Sequence, residues 1–227
     1  MASTALHGTI SRAGTARMAG TSSKADRHLF RLMDVAIALM LLIAFSPLML
    51  ALAVAISAGD GRSPFYGHRR YGKGGRTFLC YKFRSMAADA DARLARLLAS
   101  DPVARAEWHR DHKLRRDPRV TAIGRVIRKT SLDELPQLFN ILRGEMSLVG
   151  PRPIVAAEVR RYGRRFTHYC SVRPGITGIW QISGRNDTGY RRRVAMDSLM
   201  ARRMTPALYV SVLAGTARSV LTGHGAY

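Results

Sequence analysis

The chain has 227 residues, enough for one folded domain with a tail and a membrane element. Lys and Arg total 37 against 15 Asp and Glu, a formal net charge of +22, which implies acidic partners: nucleic acid, anionic lipid or phosphorylated substrates. Cys80 and Cys170 lie 90 residues apart without a CxxC pattern, and the seven histidines show no zinc-ligand spacing; a zinc centre is excluded and the thiols read as free in a reducing compartment.

Residues 1–25 are rich in Ala, Ser, Thr and Gly without apolar period and read as a disordered tail. Val35 to Ile56 is an uncharged run of 22 residues. As a helix it would be about 33 Å long, against a hydrocarbon core of about 30 Å. A secretory signal has a shorter apolar region, and a buried core helix would show a polar face. Ser46-Pro47 falls at the middle of the run, where proline removes a donor and crowds the preceding turn; a serine hydroxyl can satisfy the freed carbonyl. Both flanks are basic: Lys24, Arg27 and Arg31 before, Arg62, Arg69, Arg70, Lys73 and Arg76 after. Positive charge marks the cytoplasmic side, so a segment that enters and returns is predicted over 26–58, broken at Ser46 and Pro47.

Gly72 to Gly75 is a turn between strand-like segments, Phe65-Tyr66 and Thr77 to Phe83, which predicts a hairpin. Met86 to Leu98 reads as helix. Asp101-Pro102 caps and opens another, to about Lys113. Ala122 to Lys129 is a short helix behind Thr121, with Ile123, Val126 and Ile127 inward. Leu135, Leu138, Phe139 and Leu142 keep helical spacing up to Gly144, and Pro153 opens a further helix. Tyr169 to Ser183 reads as irregular or extended. Thr188 to Met204 and Pro206 to Leu221 read as helices, the last with a stripe of Tyr209, Val212, Leu213, Thr216 and Val220 that faces either the core or a membrane surface.

Ser131-Leu132-Asp133-Glu134 fits a capping box, and by pattern alone it is better explained by a helix start than by a site. Either way it puts two carboxylates at a helix N-terminus, a place suited to phosphate and to an ionised carboxylate. Arg128 and Lys129 stand just upstream as countercharge. Lys82-Phe83-Arg84 alternates on a strand, putting both charges on one face, which suits a diphosphate or simply a solvated face. Gly150-Pro151-Arg152-Pro153 is a rigid turn that aims Arg152. Basic turns at Arg173-Pro174-Gly175 and Gly184-Arg185-Asn186-Asp187 bracket Trp180, which would stack a nucleobase or fill the core; Arg185 joins the candidate phosphate-binding set. Asp89-Ala90-Asp91 matches a short metal motif but reads as a helix start, and Gly72-Lys73-Gly74-Gly75 lacks the spacing of a P-loop.

Lys82 to Met86 (KFRSM), Asp117 to Gly150 (DPRVTAIGRVIRKTSLDELPQLFNILRGEMSLVG) with PRP at 151–153, and Arg173 to Asp187 (RPGITGIWQISGRND) stand in one order. Together they resemble the signatures of the bacterial sugar transferases, the monotopic polyprenyl-phosphate phosphoglycosyl transferases, over roughly residues 27–227. The Tyr66-Gly67-His68-Arg69-Arg70 stretch most resembles the exopolysaccharide-initiating, galactosyl-phosphate type. The resemblance implies that Asp133 attacks the sugar-bearing phosphorus of a UDP-sugar, that UMP leaves, and that undecaprenyl phosphate then takes the sugar phosphate from the aspartate. It also implies Glu134 as ligand of Mg²⁺, Arg128 and Arg152 as phosphate-binding arginines, and a re-entrant helix that breaks at Ser46-Pro47. Galactose is the first expectation for the sugar and glucose the second. Near the C-terminus the chain departs from the family: Asp197 stands, but Met200 replaces a tyrosine, Arg203-Met204-Thr205 replaces Asn-Trp-Ser, and Tyr209 replaces an aspartate.

The expected fold class is therefore α+β, mainly helical: a monotopic membrane protein with an N-terminal re-entrant helix-break-helix and a small cytoplasmic catalytic domain, 59–227, holding a short β-hairpin and closing on an amphipathic helix. The expected place is the cytoplasmic face of the bacterial inner membrane, among its lipids, with a homodimer admitted as an assembly. A membrane-tethered nucleic-acid binder is the rival class. The basic residues are spread along the chain without a helix-turn-helix, RNA-binding or zinc signature, so nucleic acid is not expected as a partner. An inactive scaffold of polysaccharide assembly is a third reading, against which the intact Asp133-Glu134 pair stands.

Overall fold

The computed structural model describes residues 23–111, 114, 117–183 and 188–222. The tail expected over 1–25 therefore lies outside them except for its last three residues, and so does Arg185. Among the described residues the chain is mainly helical, with two separate two-stranded sheets.

Helix α1 (Lys24–Ala58) is opened by a reciprocal cap between Ser23 and Asp26. It runs through Pro47 as one helix rather than two. The physical reason is local: proline leaves the Ile43 carbonyl without its amide partner, and the Ser46 hydroxyl donates to that carbonyl at 2.9 Å. By length and composition α1 could cross a membrane. Yet both of its halves pack on the same domain. Toward the N-terminus, Ala38 is fully buried among Leu138, Ile141 and Val212, and Arg31 donates to the Ile141 and Leu142 carbonyls at 2.6 and 2.9 Å. Toward the C-terminus, Met49 and Ile56 are buried against Phe83 and Ile127. Between these contacts Met40, Ile43, Leu50 and Val54 face outward, an apolar strip that no part of the described chain covers.

The hairpin forms as predicted. Strand β1 (Phe65–Tyr71) pairs antiparallel with β2 (Thr77–Phe83), with Tyr66 opposite Lys82 and His68 opposite Cys80. Helices α2 (Ala90–Ser100) and α3 (Pro102–Asp111) follow, the second capped by Asp101, whose carboxylate accepts from Val103 and Ala104. Helix α4 (Ala122–Lys129) starts where expected, Thr121 accepting from the Gly124 amide at 2.9 Å. Its inward face is narrower than predicted. Ile127 is fully buried, but Val126 is 61% exposed, because the helix rests on Ser85 through Gly124 and turns Val126 away.

Helix α5 (Gln137–Leu142) precedes a second sheet that sequence periodicity did not reveal: β3 (Ser147–Val149) pairs parallel with β4 (Gly175–Thr177). The approach is so close that a Cβ on Gly175 would sit 2.1 Å from the Gly150 amide nitrogen, so glycine is required both at the start of β4 and just past the end of β3. Helix α6 (Ala156–Tyr162) begins three residues after Pro153, which lies outside any helix, and Glu158 caps it by accepting from the Val155 amide. Helices α7 (Phe166–Cys170) and α8 (Ile179–Ile182) flank β4 in the stretch expected to be irregular or extended. Helices α9 (Tyr190–Arg203) and α10 (Pro206–Thr222) close the chain. On α10, Tyr209 and Val212 turn into the core, which settles the core-or-surface question for that end of the stripe.

Candidate active site

A cavity of about 1260 Å³ opens between the hairpin, the turn before α5, α8 and α1. Lys82, Arg84, Arg128, Asp133, Glu134 and Arg152 all line it, so six of the seven expected site residues of the soluble part meet in one place. Its other wall is apolar, with Ile37, Leu41 and Phe45 of α1 facing Ile182 and Leu213.

The carboxylates do not sit where a capping box would put them. Ser131 takes a left-handed conformation, φ +58°, and its side chain makes no cap bond; Asp133 and Glu134 ride a single 3₁₀ turn, Leu132–Glu134, ahead of Pro136 and the six-residue α5. A helix that short has little macrodipole to offer. The countercharge comes instead from the hairpin. Lys82 Nζ lies 2.6 Å from Glu134 Oε1 and 3.5 Å from Asp133 Oδ2, one ammonium between two carboxylates. The two acids differ in environment. Burial pushes the Asp133 carboxyl above its ordinary value, Lys82 working against it and Glu134 with it. Burial also acts on Glu134, but Lys82, Arg152 and Arg70 together outweigh it and hold that group below the ordinary value. The expectation that the helix end ionises the nucleophile is thus corrected: Lys82 is the main group that favours the charged form of Asp133.

The arginines are placed by distinct contacts. Thr121 donates its amide to the Ser85 carbonyl, which seats α4 against the end of the hairpin. Arg128 Nε then donates to Ser85 Oγ at 2.8 Å. Arg152 lies over the Trp180 ring at 5.8 Å, and Arg193 lies over the same ring at 4.7 Å. Trp180 is buried, and both guanidinium groups lie against its indole. Arg84 differs from expectation. It stands one residue past β2 and makes a two-pronged ion pair with Asp60, one bond being 2.6 Å, so its charge is already matched. That pairing holds Asp60 at about 2. Asp89 is likewise engaged, with Arg93 at 2.7 Å and Arg96 at 3.5 Å, consistent with a helix start rather than a metal motif.

Sequence reasoning missed Asp34. Asp34, buried in α1, accepts from Ser147 Oγ, the Leu148 amide and the Tyr209 hydroxyl; a lone acid at the edge of an apolar run was the available signal. No cluster of three His, Cys, Asp or Glu occurs among the described residues. Two adjacent carboxylates in a cation-lined cavity nevertheless fit Mg²⁺, which commonly takes one or two protein carboxylates and completes its shell with water and substrate phosphate.

The site thus gathers two carboxylates with Lys82, Arg128 and Arg152 in one cavity of a domain packed on a long apolar helix. Residues 25–223 match the family model described as bacterial sugar transferase, and the chain belongs to that family. It is 50% identical over 206 residues to the undecaprenyl-phosphate galactose phosphotransferase of Salmonella typhimurium, covering 91% of this chain and 43% of that protein. It is 48% identical over 197 residues to the exopolysaccharide production protein ExoY of Sinorhizobium fredii, covering 87% of each. At 36% identity it resembles the UDP-glucose:undecaprenyl-phosphate glucose-1-phosphate transferase of Xanthomonas campestris pv. campestris, over 86% of this chain and 39% of that one. The chain thus spans less than half the length of several relatives and most of the length of ExoY.

Proposed function

We propose that the protein is an enzyme that transfers a sugar 1-phosphate from a UDP-sugar to undecaprenyl phosphate, as a first membrane step of exopolysaccharide synthesis. The observation that carries this reading is the Lys82-bridged Asp133–Glu134 pair in a cavity shared by phosphate-binding cations and the apolar wall of α1. The relatives' names point to galactose first and glucose second.

Asp133 is the nucleophile. Its carboxylate oxygen attacks the sugar-bearing phosphorus, the bond from that phosphorus to the bridging oxygen breaks, and UMP departs with the electron pair. The phosphate oxygen of undecaprenyl phosphate then attacks the same phosphorus and frees the Asp133 carboxylate. Two in-line steps allow two bulky substrates to use one cavity in turn. Lys82 favours the charged form of Asp133 against the burial that opposes it. Arg128 and Arg152 neutralise phosphate charge, and Arg185 is assigned to the same task. Glu134, with Asp133 beside it, would hold Mg²⁺, which when bound would screen the diphosphate charge.

The anchor is proposed to be re-entrant. A straight span would separate the two ends of α1 by a bilayer, whereas Arg31 and Ile56 both touch the same domain. A bend in the bilayer at Ser46-Pro47 with the apolar strip toward lipid satisfies both, and it seats the domain on the cytoplasmic face.

The test mixes full-length protein in nanodiscs with Mg²⁺, undecaprenyl phosphate and a panel of UDP-sugars, and measures UMP release. Asp133→Asn should abolish turnover with an unchanged melting temperature. Full activity in that variant would remove Asp133 as nucleophile, and no UMP from any sugar would remove the reading.

A further inference from the structure

The cavity beside Asp133 is lined by the charged groups Lys82, Arg128, Glu134 and Arg152. A neutral pair, Tyr66 and His68, stands on β1. Side chains alternate along a strand, so Tyr66 and His68 project from one face, and the register puts Lys82 and Cys80 on that same face directly across from them. Lys82 is the group that reaches Asp133 and Glu134. The Tyr66–His68 edge is therefore the side wall adjoining the carboxylates.

The tautomer of His68 follows from its neighbour. Arg70 Nη2 lies 3.1 Å from His68 Nδ1. A guanidinium only donates, so Nδ1 accepts, and the ring is neutral with its proton on Nε2. Arg70 is itself fixed from behind, donating to the Pro153 carbonyl at 3.1 Å and lying 3.8 Å from Glu158. Burial, Arg70 and Lys82 all lower the His68 pKa, in keeping with a neutral ring. The Tyr66 and His68 rings are 5.9 Å apart and tilted, so the phenol flanks the imidazole.

A neutral donor held in one orientation is poorly matched to phosphate when Lys82, Arg128 and Arg152 are at hand. It is well matched to a hydroxyl. In an in-line displacement the nucleophile and leaving group occupy one axis, and the remaining substituents of phosphorus project to the side. The sugar oxygen is one of those substituents, so the sugar lies against a side wall next to Asp133. We propose that His68 is a specificity-determining residue that donates its Nε2–H to a sugar hydroxyl, with Tyr66 flanking the ring; this rests on the phosphoglycosyl transfer proposed above. A site that hydrogen-bonds a hydroxyl discriminates against an epimer that misplaces it, whereas a merely apolar wall does so weakly.

The experiment compares wild type, His68→Ala, the volume-keeping His68→Phe, and His68→Gln, which keeps a neutral donor. UMP release is measured with UDP-galactose and UDP-glucose in nanodiscs, and calorimetry measures binding of UMP and of each UDP-sugar. The expected result is a loss of about tenfold in kcat/KM for the preferred sugar in the Ala and Phe variants. The other epimer should change less than twofold, UMP affinity should hold, and Gln should recover part of the preference. An equal loss for both sugars, weaker UMP binding, or an unchanged ratio in the Phe variant would overturn the assignment. Wild type that releases no UMP from any sugar is a different result, and it overturns the parent reading along with this one.

Discussion

The Tyr209 hydroxyl donates to the Asp34 carboxylate at 2.7 Å, fastening α10 to α1 across 175 residues of sequence. Phe30 stacks on the same ring at 5.1 Å. The C-terminal departure from the family pattern is thus absorbed in packing: Tyr209 meets Asp34, and Met200 is fully buried. Tyr209→Phe keeps the ring and removes one donor to a buried carboxylate, which costs about 1–3 kcal/mol. Asp34→Ala orphans the Ser147, Leu148 and Tyr209 donors together and costs more. Thermal melts in one detergent should rank the three proteins in that order.

Lys82 is the residue through which the hairpin acts on the chemistry. Lys82→Met removes the ammonium that opposes the burial of Asp133, so the Asp133 carboxyl rises further. The acid limb of the pH–rate profile for UMP release should move to higher pH, and the rate near neutrality should fall about a hundredfold. A profile of unchanged shape would deny Lys82 this part.

Asp197 is a buried acid held by the Tyr162 hydroxyl at 2.6 Å. Burial pushes it up to about 7 from an ordinary 3.8, although Tyr162, Arg152 and Trp180 act downward. A raised carboxyl contributes its full stability below the unfolded value and loses it as pH rises toward the folded one. Between about pH 4 and 7, wild type should therefore lose stability relative to Asp197→Asn, and the difference should level off above 7. Parallel melting curves for the two proteins across that range would contradict the assignment.

The topology has its own test. Ser23 and Ser63 flank α1 and are exposed. In a chain whose Cys80 and Cys170 are replaced by serine, Ser23→Cys and Ser63→Cys should both react with a membrane-impermeant maleimide from the cytoplasmic side alone. Labelling from opposite faces would make α1 a span. Pro47→Ala restores the missing amide and should shift the population toward spanning.

Much of the site was legible because its parts are local. Thr121 announces α4, Asp101-Pro102 announces α3, and the Gly-rich turn announces the hairpin, each through chemistry confined to a few residues. What escaped depends on partners far along the chain. Nothing near Arg84 says that Asp60 will neutralise it, and nothing near Ser131 says that its backbone will turn left-handed instead of capping. The β3–β4 pair is only three residues long on each side and is specified by glycines that permit contact, not by alternation. Asp133 and Glu134 were found by their order among other motifs, while the cation that governs them, Lys82, came to its role only through the fold.

Arg31 holds the last carbonyls of α5, the helix that follows directly on the 3₁₀ turn carrying Asp133 and Glu134. The anchor and the acidic turn are thereby one lever rather than a tether and its cargo. With α1 seated in a bilayer as proposed, a change in thickness or curvature that tilts it would reach the carboxylates as a change of height and angle above the headgroups. The lipid surroundings are in this sense an input to the site's geometry, and the same protein should work at different rates in thin and thick membranes of equal charge.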